Sequence, residues 1–411
     1  MRTCRVGDVA RVQSGFAFKS SEFKPDGVKL LRNTNVLPQR LEWGDLACLD
    51  SDQLEKYRKF QLNVGDILLS LDRPIISSGI KVARVGGTDV PALLVQRVGR
   101  FLVDCSKLDA DYLYLFLRSP KFIRAISGHE QSLGVPHISP LQVESIEMPL
   151  PSFEEQRRIS SRLEAQLAEV ATARQAAKSQ VRETEMLRAS VYREAFHHIV
   201  PIAVPPDFGE APQDWRWRKL TDLARLESGH TPSRSRPDWW GGDVSWVSLT
   251  EIRALDGKRV ERTQLRTNEA GIANSAARIL PRGTVCFSRT ASVGFVTIMA
   301  VPMATSQDFA NWVCSDDLDP EFLMHALIRS RQELRELATG ATHKTIYMPT
   351  LESFHLCAPT LDEQRRIVQH LKAQLTEVEA IRQAAAEQLT EIESLPQRVL
   401  AQAFNAQEAA A

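Results

Sequence analysis

Residues 154–177 read EEQRRISSRLEAQLAEVATARQAA, and residues 362–385 read DEQRRIVQHLKAQLTEVEAIRQAA. Glu155, Gln156, Arg157, Arg158 and Ile159 recur as Glu363, Gln364, Arg365, Arg366 and Ile367, an offset of 363 − 155 = 208 residues in a chain of 411. Each copy closes a longer and more divergent stretch. A chain of two such halves is expected to fold with a pseudo-twofold axis. It suits a ligand with two similarly spaced ends.

Ser152 and Thr360 each stand three residues before the glutamate, just after Pro151 and Pro359. This is the S/T-x-x-E signature of a capped helix start. An apolar heptad follows. The expected a positions are Ile159, Gln166, Ala173, Gln180 and Leu187 in the first copy, and Ile367, Gln374, Ile381, Gln388 and Leu395 in the second. The expected d positions are Leu163, Val170, Ala177, Thr184 and Val191, then Leu371, Val378, Ala385, Ile392 and Val399. Five heptads indicate a coiled coil. Both helices lie in one chain, so antiparallel pairing is the simplest arrangement. Glutamine at matching a positions reads either as a buried device that fixes register or as a wet coil edge. Pro396 is expected to kink the second helix.

The remaining sequence reads as two mixed α/β segments that correspond piecewise. GDVARVQSG (7–15) matches TDLARLESG (221–229), LNVGDILLS (62–70) matches LPRGTVCFS (280–288), and LDADYLYLFL (108–117) matches LDPEFLMHAL (318–327). Val64–Leu69 and Thr284–Phe287 are expected strands; Asp111–Leu117 and Glu321–Ile328 are expected helices. The four prolines of residues 201–214 suggest an extended tether. Between the matching anchors the loops differ almost completely. The expected organisation is therefore 1–151 globular, 152–200 helix, 201–214 linker, 215–359 globular, 360–405 helix and 406–411 tail.

Lys and Arg total 51, as do Asp and Glu, so the formal net charge is zero. A generic polyanion binder usually carries a basic excess; here any nucleic-acid contact has to be local. The six cysteines form no CxxC pair, which argues against a zinc site or disulfide framework and for reduced thiols in the cytoplasm. No apolar run approaches a membrane span. The chain lacks N-P-P-[YF], G-x-x-x-x-G-K-[ST] and H-E-x-x-H motifs.

The doubled P-[ST]-x-x-E-Q-R-R-I entry resembles that of the specificity subunit of Type I DNA restriction–modification enzymes. So does QDWRWRKLTDLARLESGHTPSRSRPDWWGGDVSWVSLTEI (213–252), which is similar to the opening of a target-recognition domain, as LPRGTVCFSRTASVGFVTI (280–298) is to its middle strands. The first half departs from the pattern, lacking W-x-W and T-P-S. The resemblance implies an α+β chain with two similar α/β target-recognition domains separated by two long antiparallel coiled-coil helices. It implies that each domain reads one half of a split site in double-stranded DNA and that the helices set the spacer. It also implies docking of two methyltransferase subunits and of motor-nuclease restriction subunits. S-adenosylmethionine, ATP and Mg²⁺ would sit on those partners, with no cofactor, metal or catalysis in this chain.

Groove readout needs Arg, Lys, Asn, Gln, Ser or Thr side chains on exposed loops. In the second half these are Thr231, Ser233, Arg234 and Arg236; then Arg289, Thr290 and Ser292 after a strand; then Lys344. In the first half they are Ser14 and Lys19, then Arg32, Asn33 and Asn35, then Arg73. Phe16, Phe18, Trp239, Trp240 and Trp246 read as core. His197 and His198 read as a helix C-terminus. Glu155, Gln156, Arg157 and Arg158, with Glu363, Gln364, Arg365 and Arg366, read either as capping plus a solvated face or as a docking surface for partner subunits. Two other functions fit less well: a coiled-coil organiser with protein-binding ends, and an enzyme with an unrecognised site.

Overall fold

A computed structural model describes residues 2–127, 137–340 and 343–405. The chain divides into two compact units, one of residues 1–178 with 387–411 and one of residues 179–386.

The first unit is built on an antiparallel sheet with strand order 82–84, 67–70, 98–103, 10–14. Ile67–Ser70 is buried along its whole length, so this strand reads as an apolar run rather than an alternation. A second sheet has order 92–94, 28–31, 48–49, and its first pair is parallel. Helix Ala110–Leu117 starts where the Asp109 carboxylate accepts the Tyr112 N–H at 2.9 Å. Its apolar face shares a core with the first sheet and with Ile159, Leu163, Leu400 and Phe404 of the long helices.

The second unit repeats this topology. Its main sheet has order 296–299, 285–288, 309–314, 224–228, with strand 259–260 added in parallel at the outer edge. Its second sheet has order 304–305, 240–247, 266–267, again with a parallel first pair. Asp319 caps helix Pro320–Arg329 by accepting the Glu321 and Phe322 N–H groups at 2.8 and 3.0 Å. The strands and helices expected at the matching anchors are thus present in both halves.

The stretch read as a tether is not one. Ile202–Ala203 pairs antiparallel with Leu356 and His355, Ile202 is 1% exposed, and the Pro201 carbonyl accepts the Cys357 N–H at 2.9 Å. The prolines confine this segment to a sheet edge, where a missing N–H does no harm.

The two long helices span Phe153–Ala195 and Leu361–Asn405; the second continues past Pro396. The first ends where His197 and His198 take left-handed φ of 48° and 64°, and the His197 ring lies 5.4 Å from Trp215. In the first unit the start of one helix packs with the end of the other. In the second unit Val191, Tyr192 and Phe196 meet Val368, Leu371 and Val378, so the helices run antiparallel.

The expected d residues line the seam; of the expected a residues, Ile159 and Ile367 at the helix starts pack inward, but most of the rest do not. Gln166, Gln180 and Gln388 are exposed, and Leu187 and Ile381 are 44% and 52% exposed. The seam instead continues through Leu167 and Val181, and through Leu375, Leu389 and Ala403. Four residues after Leu163, Ala177 and Ala385 stand half-buried Leu167, Val181 and Leu389, whereas the glutamines three after them are exposed. Gln166, Gln180 and Gln388 therefore lie outside the seam and fix no register, while Gln374 is half-buried.

Candidate nucleic-acid interface

In the first unit the main sheet brings three loops to one end. Ser14 closes strand 10–14 opposite Gly99, and Ser70 closes strand 67–70 opposite Val98. The chain then turns at Gly15, where a Cβ would collide with the Val95 backbone. That close approach requires glycine. The Phe16 N–H donates to the Leu94 carbonyl at 3.0 Å, and the Leu71 N–H to the Arg97 carbonyl at 2.8 Å. Lys19 and Arg73 are exposed on these loops, Arg73 with φ of 43°. Arg97, also left-handed at 77°, has a half-exposed side chain that reaches Asp72 at 3.5 Å. Asp72 in turn meets His137 Nδ1 at 2.8 Å.

The second unit places the corresponding loops together. Ser228 lies opposite Ala310, and Ser288 opposite Phe309. Gly229 crosses Thr305 and Ser306 as Gly15 crosses Val95, and the His230 N–H donates to the Thr305 carbonyl at 2.9 Å. The Thr231 hydroxyl donates to Gln307 Oε1 at 2.7 Å. Ser233, Arg234 and Arg236 are exposed. Arg234 lies over the rings of Trp240 and Trp246, while Arg236 grips Asp238 in a fork at 3.0 and 2.7 Å. Exposed Lys344 joins them, because its carbonyl accepts the Ala291 N–H at 2.9 Å.

Several candidates hold these loops together rather than facing outward. Asn35 is 1% exposed; its Oδ1 accepts the Arg32 N–H, and its Nδ2 donates to the carbonyls of Glu42 and Asp45. Arg32 is spent on Asp45, at 2.8 Å to the carboxylate. At Asn33 it is the backbone carbonyl, not the side chain, that accepts from buried Lys81. Arg289 was expected in a groove but donates to the Gln307 carbonyl at 2.8 Å and the Ile346 carbonyl at 3.4 Å, and burial lowers its pKa. Thr290 pairs with Thr345 across the neighbouring loop, and the Ser292 carbonyl accepts from Ser288. A strand-ending polar residue is as useful for closing a loop as for reading a base, and sequence alone does not separate the two. Trp246 is core as expected, at 1% exposed; Phe16 is not, at 37%, and instead caps an aromatic cluster with Phe18, Tyr57 and Phe60.

The repeated helix starts also separate into two kinds of residue. Gln156 and Gln364 are 0% and 2% exposed, so neither presents a docking surface. Gln156 Oε1 accepts the Asp109 N–H at 2.9 Å, and its Nε2 donates to the carbonyls of Lys107 and Pro151, both at 3.0 Å. Gln364 makes the same three bonds to Asp319, Asp317 and Pro359 at 2.9, 3.2 and 3.0 Å. Each glutamine thus ties the start of a long helix to the capped end of the short helix in its unit. Arg157, Arg158, Arg365 and Arg366 remain exposed. Arg158 and Arg366 pair with Glu155 and Glu363 at 2.8 and 3.0 Å.

Residues 1–180 and 212–391 both match the family described as Type I restriction modification DNA specificity domain. The chain belongs to that family. It is 38% identical over 161 residues to the EcoAI specificity subunit of Escherichia coli, a match covering 39% of this chain and 27% of that protein. A 38% match to the MjaVIII specificity subunit of Methanocaldococcus jannaschii likewise covers 39% of this chain and 38% of the relative. The chain thus spans well under half the length of these two relatives. The EcoBI specificity subunit of E. coli is 22% identical over 98% of this chain and 85% of its own length. Among solved structures, a chain from work on complex assembly and conformational transition of the type I R-M system has TM-score 0.77 at 19% identity, covering 98% of this chain and 97% of its own. The HsdS subunit of Thermoanaerobacter tengcongensis has TM-score 0.60 at 19% identity, covering 98% and 96%. At such identities these two likenesses show the fold alone.

Three residues not singled out from the sequence, Arg97, His137 and Gln307, lie beside the candidate loops. All three sit on loops that reach the others only through strand pairing. An arginine followed directly by a buried strand was the available signal for Arg97.

Proposed function

We propose that the chain is the sequence-specific DNA-recognition subunit of a Type I restriction–modification complex. Each unit reads one half of a bipartite site in duplex DNA. The observation that carries this reading is the repetition of one topology with unlike loops. Strand ends of the main sheet gather Lys19, Arg73 and Arg97 in one unit and Ser233 and Arg234 in the other, where Lys344 joins through the Ala291 N–H. A common frame with different loop chemistry is what two unlike half-sites need. Arg157, Arg158, Arg365 and Arg366 are the proposed contacts for two methyltransferase subunits, with restriction subunits joining them. Those partners supply S-adenosylmethionine, ATP and Mg²⁺; this chain supplies the address and the assembly platform, in the cytoplasm. No described helix is long and apolar enough to cross a membrane.

The test replaces residues 215–359 with the corresponding segment of another family member. Methylation mapping of the reconstituted complex is expected to show one half-site changed and the other kept. A change in both half-sites overturns the assignment of one half-site to each unit.

A further inference from the structure

The second sheet of the second unit carries a feature that its counterpart lacks. Trp240 and Val244 both pair with Thr267, so Gly241, Gly242 and Asp243 bulge out of the strand between them. Two glycines make this possible. Gly241 takes a left-handed φ of 82°, and a Cβ on Gly242 would collide with Asn268 and the Thr267 carbonyl. In the first unit the corresponding strands pair Val28 with Leu49 and Lys29 with Cys48 in unbroken register, and Cys48 and Leu49 are buried. The shared frame therefore does not require the bulge. Bulges re-aim side chains and gather at functional sites.

Beside this bulge lies a recess of about 340 Å³, walled by Trp240 and lined by Arg234, Gln264 and Arg266. The aromatic wall is held from within. Trp240 and Trp246 meet edge to face with centroids 5.0 Å apart, and their indole N–H groups donate to the Ser233 and His230 carbonyls at 3.2 and 3.3 Å. The Arg234 guanidinium lies 5.4 and 5.6 Å from the two ring centroids, and its side chain forms no hydrogen bond or ion pair among the described residues. Stacking thus places it while leaving its donors unused. Arg266 comes from the neighbouring strand and reaches Asp243 at 3.1 Å, a carboxylate that is fully exposed. Such a surface pair is weak and readily exchanged. Gln264 is exposed, and its backbone N–H is anchored to the Glu251 carboxylate at 2.9 Å. Its side-chain amide forms no hydrogen bond among the described residues.

An arginine fork fits either a phosphate or the O6 and N7 acceptors that guanine shows in the major groove. Gln264 decides between them. Its amide oxygen is an acceptor, which has no use against a phosphate. Against a G·C pair it meets the N4–H₂ of cytosine, next to the guanine acceptors. We infer that Arg266, together with Gln264, reads one G·C pair of the half-site assigned to the second unit, a role that rests on the DNA-reading function proposed above. These two residues stand at a strand of the second sheet, outside the loops that end the main sheet.

The test measures methylation by the reconstituted complex on duplexes in which each base pair of that half-site is changed singly. Arg266→Ala, Arg266→Lys and Gln264→Ala are compared with the wild type, with thermal melting as the fold control. Arg266→Ala is expected to lose discrimination by about tenfold or more at one G·C pair and at no other position. Gln264→Ala should weaken discrimination at the same pair. Arg266→Lys should fail to restore it, because an ammonium keeps the charge but not the fork. A loss spread evenly over all duplexes and restored by lysine would make Arg266 a phosphate contact and overturn the assignment. So would unchanged discrimination in all three variants, or a mapped half-site with no G·C pair. The exchange of residues 215–359 separates the two levels. If it still moves one half-site while Arg266→Ala changes nothing, only the role of Arg266 falls; if it moves neither, the half-site assigned to the unit falls as well.

Discussion

At Gln156 a single side-chain amide bonds three backbone groups. Gln156→Leu keeps the volume but strips the part-buried Asp109 N–H and the carbonyls of Lys107 and Pro151 of this partner. Buried groups stripped of partners each cost about 1–3 kcal/mol, and partial relaxation should leave a net loss of roughly 2–4 kcal/mol. Gln364→Leu should cost about the same, because its bonds are the same. Chemical denaturation of each variant checks this; an unchanged midpoint would make the clamp dispensable. His325 gives the residue scale its pH dependence. Burial first, with the cations around it opposing the Glu321 charge, pulls its pKa from 6.5 down to about 4. The unfolded chain therefore takes up a proton near pH 6.5 while the folded chain resists until about pH 4. Stability from this group is full above pH 6.5 and falls as pH drops toward 4, by up to roughly 3 kcal/mol. Denaturation between pH 7 and 4.5 should show a shallower loss for Tyr192→Leu/His325→Leu than for the wild type.

At the scale of elements, the long helices turn their d positions inward, from Leu163 to Val191 and from Leu371 to Val399, together with Leu167, Val181, Leu375 and Leu389. Ala177 and Ala385, 208 residues apart, are both buried on this seam at 2% and 8% exposure. Adding seven residues after each keeps every apolar side chain in the seam, because seven residues return the helix nearly to the same face. The pair should lengthen by ~10 Å at ~1.5 Å per residue. At about 3.4 Å per base pair, the spacer preferred by the reconstituted complex is expected to grow by about three base pairs with both half-sites kept. An unchanged spacer with retained methylation would show that the helices do not set it.

At the scale of the whole molecule, zero net charge means that affinity for a polyanion has to come from local donors. Two separate loop clusters then predict separable losses. Arg97→Ala should weaken discrimination by ~1–3 kcal/mol at one base pair of the half-site read by the first unit. Arg234→Ala should act only on the other half-site. Methylation of a panel of single-base site variants checks both. A uniform loss over every sequence would make either arginine a phosphate contact, and effects crossing between half-sites would join the two clusters into one reader.

Much of this architecture was written in local pattern. The doubled E-Q-R-R-I entry, the serine and threonine caps and the apolar spacing identify two long helices, and the matching anchors identify two α/β frames. These signals survive because helix periodicity and capping act between residues a few positions apart. Which side chains are free to act did not survive, because that depends on partners far along the chain. Gln156 is a clamp because Lys107 and Asp109 lie beside it, Asn35 is internal because the loop folds back to Asp45, and Ile202–Ala203 is a strand because Leu356 offers an edge. The seam glutamines were misplaced by one residue, a slip that only packing against the second helix reveals. Sequence determined the elements and the repetition; tertiary structure alone decided which polar groups are spent inside the fold and which, like Arg73 and Arg234, stay exposed.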